Sequence, residues 1–242
     1  MSESPTTPPE LTRRVAQAHA RILELLDRRK GDDDPAAAAT ELPGWSRGHV
    51  LQHLADNARA FERQARYALQ GRLVAVYDGG QRGRDRAVEQ GARRPLPLLR
   101  GDLESAQRDL EEVWARLSAD DWHRPVRFRN ATVLDTALAR WREAEIHAVD
   151  LDLGYRPRHW PLPFALHALD FLAPRTPPGL RLTVSATDTG FSRTTGAGTP
   201  VEVAGTLRDL AAWMAGRSTD GDLHTSAPRL PLLAPWPPDP AD

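Results

Sequence analysis

Four stretches in the first 155 residues repeat their apolar residues at helical spacing, and this periodicity narrows the fold more than any single motif. Leu11, Val15, Ala18, Ile22 and Leu25 lie on one stripe, which predicts a helix from Pro9 to Arg29, closed by "KGDDDP". After the connection "AAAATELPGW", Ser46 is an N-cap candidate for a second helix carrying Val50, Leu54, Ala58 and Phe61. A third stripe runs through Leu99, Leu103, Ala106, Leu110, Val113 and Leu117 and is broken by "SADDWHRPVRFRNAT". A fourth runs through Leu134, Ala137, Trp141, Ala144, Ala148 and Leu151 and stops near Gly154. Between the second and third, the pattern is lost through "VYDGGQRGRDRA", which is expected to be a long irregular loop of the kind that often carries function. Four amphipathic helices, joined by one short and two longer connections, suggest a four-helix bundle.

The texture changes at "GYRPRHWPLP", which places a domain boundary between residues 1–155 and 156–242. "LPFALHALDFLA" reads as a further helix. "LRLTVSAT" alternates and "PVEVAG" follows as a second strand, with the turns "TDTGF" and "TTGAG" between them. "TLRDLAAWMAGR" is the last helix, and the Pro-rich tail from Pro228 is expected to lie extended against the surface or to be disordered. The fold class is therefore α+β: a helical bundle followed by a small α+β domain, without internal repeats.

Bulk properties exclude several functions. Lys and Arg total 32 against 33 Asp and Glu, a formal net charge of −1, so nothing favours a nucleic acid as partner. Lys30 is the single lysine, which with the abundant Ala, Pro and Gly suggests a GC-rich bacterial coding background. Cysteine is absent. Disulfides, thiolate metal ligands and a cysteine nucleophile are thereby excluded, and any thiol chemistry needs a thiol from outside. No apolar run approaches the ~18 residues of a membrane span, and "MSESPTTPPELTRR" has no signal-peptide core. A cytoplasmic monomer acting on small molecules is expected.

Chemistry-bearing residues cluster in two helical motifs. In "WREAEIHAVDLD", Glu143 and His147 are four apart, a rotation of ~40° that stacks both side chains on one helix face about 6 Å apart. The spacing suits two ligands of one ion; it equally suits an exposed i,i+4 pair, and the pair lies at the flank of the apolar stripe. In "GHVLQHLADNA", His49 and His53 repeat the spacing on the second helix, and either can meet the first pair across a bundle. Two histidines and one carboxylate leave a coordination position open, the pattern of a catalytic zinc site. His19, His123, His159, His167 and His224 lack such company and are read as structural or surface residues. Arg82, Arg84 and Arg86 in the expected loop can bind carboxylates by bidentate pairing. Arg217, in "AGRSTDG", reads on its own as a cation at a helix C-terminus.

At these residues the chain resembles the mycothiol-dependent maleylpyruvate isomerase family, whose N-terminal part belongs to the DinB-like metal-binding superfamily. The resemblance rests on "LPGWSRGHVLQHLADNA", "VYDGGQRGRDRAVEQGARRP", "WREAEIHAVDLDLG" and "VEVAGTLRDLAAWMAGRSTDG" taken together. It implies His53, Glu143 and His147 as ligands of a divalent metal, with zinc expected, and makes His49 a neighbour. It implies Arg217 as the catalytic arginine, a thiol cosubstrate, mycothiol, and a C-terminal domain like that of sterol-carrier proteins; of the loop arginines, Arg82 and Arg84 are the expected cofactor-binding residues.

The implied reaction is cis-trans isomerisation of maleylpyruvate to fumarylpyruvate. A thiolate held at the metal adds to the double bond, the resulting single bond rotates, and the thiolate is expelled. The enolate formed on addition needs a cation, the role implied for Arg217. Members of the same superfamily transfer mycothiol to other electrophiles, so an S-transferase is the alternative enzyme. A non-catalytic metal or small-molecule binding protein is the alternative outside enzymes; thiol-dependent turnover separates it from both.

Overall fold

The computed structural model describes residues 7–28 and 36–237. They form two compact units, divided after Gly154. The "KGDDDP" stop expected for the first helix, that helix's expected end at Arg29 and the extreme N-terminus lie outside the described residues.

The first unit is helical: α1 (Pro8–Asp27), α2 (Arg47–Ala68), α3 (Gly80–Gly91), α4 (Leu96–Trp114) and α5 (Val133–Asp150). Each of the four long helices packs on two others, α1 on α4 and α5, and α2 on α4 and α5. The predicted stripes are the buried ones. Leu11, Val15, Ala18 and Ile22 meet Leu54, Phe61, Leu103, Leu110, Ala137 and Trp141 in a core from which water is excluded. At ~1.5–3 kcal/mol for each large apolar side chain buried, this core outweighs the weak propensity of any one segment. Its first stripe ends on Leu26 instead of Leu25, since Leu26 is buried and Leu25 only partly so.

Residues 80–91 correct one expectation. The stretch expected as a long irregular loop contains α3, which packs on α2. Val88 is its one buried side chain, so it has no apolar stripe to read. Close backbone approach holds it instead: a Cβ on Gly48 would lie 2.1 Å from the carbonyl oxygen of Ala92.

The second unit contains α6 (Leu162–Leu172), β1 (Leu180–Ala186), β2 (Ser192–Gly196), β3 (Thr199–Gly205), α7 (Leu207–Met214) and the two-residue β4 (His224–Thr225). The sheet order is β2-β1-β3-β4; β1 and β3 are parallel and the other pairs antiparallel. β2 was not expected: its sequence, "SRTTG", carries no apolar residue, and it occupies the stretch assigned to turns. β3 follows β2 after two residues yet lies on the far side of β1. The chain crosses the start of β1 at Gly196 and Gly198, with φ of 73° and 125°. Cβ atoms there would lie 2.4 Å from the Leu180 carbonyl oxygen and 2.1 Å from that of Gly179, so only glycine fits.

Leu182, Val184 and Val203 point to the face covered by α7, and Trp160, Phe164, Leu207 and Leu210 complete this second core. The Pro-rich tail has no regular structure through residue 237 but is held down. Arg175 Nε donates to Ala234 O at 2.8 Å, and Trp236 packs on Phe171. No helix among the described residues is long and apolar enough to cross a membrane.

Candidate metal centre

Two buried arginines fix the register of the helices that carry the site. α2 and α5 pack on one another. At one end, Arg47 Nε in the first turn of α2 donates to Leu151 O at 2.8 Å, where α5 stops. At the other, Arg140 Nη1 on α5 donates to Leu54 O and to Asn57 Oδ1 at 2.8 and 3.0 Å. The helices therefore run antiparallel. His53 faces Glu143 and His147 between the two clamps. α5 itself starts on a capping box in which Thr132 Oγ1 accepts from the backbone N–H of Asp135.

One ligand atom from each of His53, Glu143 and His147 lies within 4.8 Å of the others. His53 Nε2 is 2.8 Å and His147 Nε2 3.2 Å from the same oxygen, Glu143 Oε2. The second nitrogen of each ring is also engaged. His147 Nδ1 lies 2.8 Å from Asp150 Oδ2, and Arg84 Nη2 donates to His53 Nδ1 at 3.1 Å. Trp45 closes one side, with its ring centroid 5.5 Å from that of His53 and 6.4 Å from that of His147.

The charges follow from these contacts. Burial pushes His147 down, but the carboxylates of Asp150 and Glu143 outweigh it and hold the ring up at about 9. Burial lowers His53 to about 4, against the pull of Glu143. Glu143 stands well below the usual carboxylate range, because His53 and His147 outweigh the cost of its burial. The cluster thus holds one carboxylate, one neutral imidazole and one imidazolium proton that a cation can replace. Two imidazole nitrogens and a carboxylate oxygen are the donors of a three-ligand site with room for a further ligand.

His49 stands apart from this set. It occupies the third helical position after Ser46, the N-cap, and its Nδ1 accepts from the Ser46 backbone N–H at 3.0 Å. Its Nε2 is 3.1 Å from Glu89 on α3. Of the loop arginines, Arg84 reaches His53, while Arg82 and Arg86 are exposed on α3. In the second unit, Arg217 Nη1 donates to Ala215 O at 2.7 Å, just past α7, and its guanidinium lies 5.8 Å from the Trp236 ring centre. Asp150 and Trp45 are site residues that the sequence reading did not single out. Asp150 was detectable in principle, as a carboxylate one helical turn beyond His147.

Comparison with known proteins adds to this geometry. The family described as Mycothiol maleylpyruvate isomerase N-terminal domain matches residues 15–152. A crystal structure of the mycothiol-dependent maleylpyruvate isomerase superposes with a TM-score of 0.84 at 23% identity, covering 95% of this chain and 97% of that one. A histidine-to-alanine mutant of that enzyme gives 0.84 at 22% over the same shares. At these identities the likeness shows the fold. No curated protein matches by sequence.

Proposed function

Because the chain belongs to the mycothiol maleylpyruvate isomerase family over residues 15–152, we propose that it is a mycothiol-dependent metalloenzyme that isomerises maleylpyruvate to fumarylpyruvate. In this reading the four long helices are a DinB-like four-helix bundle, the second unit is sterol-carrier-like, and the enzyme is a cytoplasmic monomer. The observation that carries the reading is the convergence of His53 Nε2 and His147 Nε2 on one oxygen of Glu143.

The donor set fits a divalent cation of the zinc type, held by His53, Glu143 and His147. Such an ion lowers the pKa of a thiol that reaches it, which supplies a thiolate at neutral pH. The chain's own residues do the rest. Asp150 fixes the His147 ring and raises its basicity as a ligand. Trp45 shields both imidazoles from water on one side. Arg84, and Arg82 beside it, offer guanidinium forks to the polar groups of mycothiol. Arg217 stabilises the enolate; its contact with Ala215 O is also what a helix-end cation makes, so this role rests on the family resemblance.

Purified protein is assayed with mycothiol and maleylpyruvate, with metal content measured in parallel. Isomer formation without net thiol loss, in protein holding about one zinc per chain, supports the proposal. Stoichiometric thiol loss into a conjugate makes the protein an S-transferase. Turnover without added thiol overturns both. Arg217→Lys keeps the charge and loses the planar fork; if Arg217 acts on the enolate, turnover falls on the order of 10²-fold with the melting temperature nearly unchanged.

A further inference from the structure

His53 is held by an arginine on the nitrogen that faces away from Glu143, and the direction of that bond has a consequence. Arg84 Nη2 is 3.1 Å from His53 Nδ1. A guanidinium has no lone pair to give, so Arg84 is the donor and Nδ1 the acceptor. The ring is then neutral and carries its hydrogen on Nε2, which donates to Glu143 Oε2 at 2.8 Å. This is the opposite of the usual arrangement behind a metal-bound histidine, in which the distal nitrogen donates to a carboxylate or carbonyl. His147 has the usual one, with Asp150 Oδ2 on its Nδ1.

A metal on His53 Nε2 takes the lone pair that the hydrogen now occupies. The neutral ring then carries its hydrogen on Nδ1, and Nδ1 and Arg84 Nη2 become two donors facing each other. The ring cannot keep both partners. α3 itself is poorly placed to yield, because its C-terminal end is seated against α2 at Gly48, its Gly91 abuts the Gln52 side chain and its Glu89 is paired with His49. Its arginine side chain is freer. The guanidinium has a second anchor in Asp85, 2.9 Å from Nη1, lies 6.0 Å from the Trp45 ring centre, and lines a cleft of about 230 Å³ together with Arg59, Arg63 and Tyr77.

We infer that Arg84 is a metal-displaced latch: it caps Nδ1 of His53 while the site is empty, and loading of the metal on Nε2 releases it towards the cleft. The inference rests on the metal site proposed above. It frees the Nη2 side of Arg84 for a ligand once the metal is in place, so metal loading favours what binds there next.

The test uses the full chain labelled with ¹⁵N-histidine. Long-range ¹H–¹⁵N spectra of metal-free protein should show His53 as the Nε2–H tautomer, and addition of zinc should convert it to Nδ1–H with Nε2 metal-bound. Zinc affinity, measured by chelator competition, should rise about 10-fold in Arg84→Met, since no charge-assisted hydrogen bond is then broken on loading. Arg86→Met, which removes an equal charge from the same helix without touching His53, should stay within about twofold of the parent in the same competition. An Nδ1–H ring in the metal-free protein overturns the latch, as does an unchanged or lowered affinity in Arg84→Met, or an equal rise in both variants. Failure of the unaltered protein to bind zinc overturns the metal site itself, and is distinguishable from these. The tautomer measurement needs no variant and decides the matter even if Arg84→Met does not fold.

Discussion

The helical unit contains two clusters built from the same residue types, and among the described residues only the first gathers three side chains close enough that they could hold an ion. In the first, His53 and His147 point their Nε2 atoms at one carboxylate oxygen. In the second, His19 Nδ1 is 2.6 Å from Glu111, and its Nε2 accepts from Arg140 Nε at 2.9 Å. The second cluster joins a buried histidine and arginine, His19 at 2% and Arg140 at 0% exposed, to the partly exposed carboxylate of Glu111. Its imidazole lone pair is spent on a guanidinium that also clamps α2. A histidine near a carboxylate is therefore a poor sign of a site. What separates the clusters is the number of potential ligand atoms converging on one point, and whether an arginine already takes up the imidazole nitrogen there.

The contrast can be broken most severely at His53. His53→Ala should lower zinc affinity more than 100-fold, beyond the ~10–100-fold typical of an outer-shell partner, whereas His19→Gln should leave it within a few-fold. Comparable losses in both, measured by elemental analysis and chelator competition, would erase the distinction. Next in size is Arg140→Met, which removes the cation from the buried cluster. It should cost about 3 kcal/mol or more in urea unfolding, since three buried acceptors, His19 Nε2, Leu54 O and Asn57 Oδ1, lose their donor at ~1–3 kcal/mol each. A cost below about 1 kcal/mol would mean that the cluster does not hold the helices together.

A third test uses pH on metal-free protein. Burial and the adjacent Arg140 lower His19 to about 4 in the folded chain. The unfolded chain therefore takes up the proton first, at about 6.5. The stability that His19 contributes is complete above that value and is lost as pH falls towards 4. A shift of this size corresponds to about 3 kcal/mol across the window. His53 is lowered to about 4 as well and adds a slope of the same sign. His147, raised to about 9, acts in the opposite direction and above the window: its contribution is complete below about 6.5 and fades as pH rises through 9. His19→Gln should thus flatten the acid-side slope of the melting temperature by about half; an unaltered slope would remove His19 from the account. The smallest effect expected is for Asp150→Asn, a loss of ~10–100-fold in zinc affinity with the fold intact. No loss would mean that His147 needs no partner behind it.

The two clusters differed in how far the sequence revealed them. The i,i+4 spacing of Glu143 and His147 was visible, but so was that of His49 and His53, and residue type cannot say which histidine faces α5. The deciding fact is that His49 is used in starting α2, and the family resemblance, more than the spacing, had already favoured His53. Nothing in the sequence marked Arg140 or its tie to His19, since neither lies in a motif and the tie joins residues 121 positions apart. The four long helices were legible because burial imposes a stripe. α3 and β2 were not, because neither depends on one. α3 buries only Val88, and β2 aligns Ser192 and Thr194 with Ser185 and Thr183 of β1 in hydroxyl–hydroxyl contacts. Elements held by polar contacts and backbone fit leave no hydrophobic period to find.

The step from β2 to β3 acts as a measured span. The two strands flank β1, so their axes lie two strand spacings apart, roughly 9.6 Å. Gly196 pairs with Arg181 and Thr199 with Leu180, and that offset adds a rise of about 3.3 Å along the sheet. The distance to cover is thus roughly 10 Å, and three Cα–Cα steps reach at most about 11 Å. By these spacings the connection through residues 197 and 198 has little length to spare. Loss of either would leave about 7.6 Å of reach, too little to keep β1 between its neighbours. The small, glycine-rich composition of this stretch would ordinarily mark it as slack and tolerant of length change, yet a deletion here would have nowhere to borrow chain from.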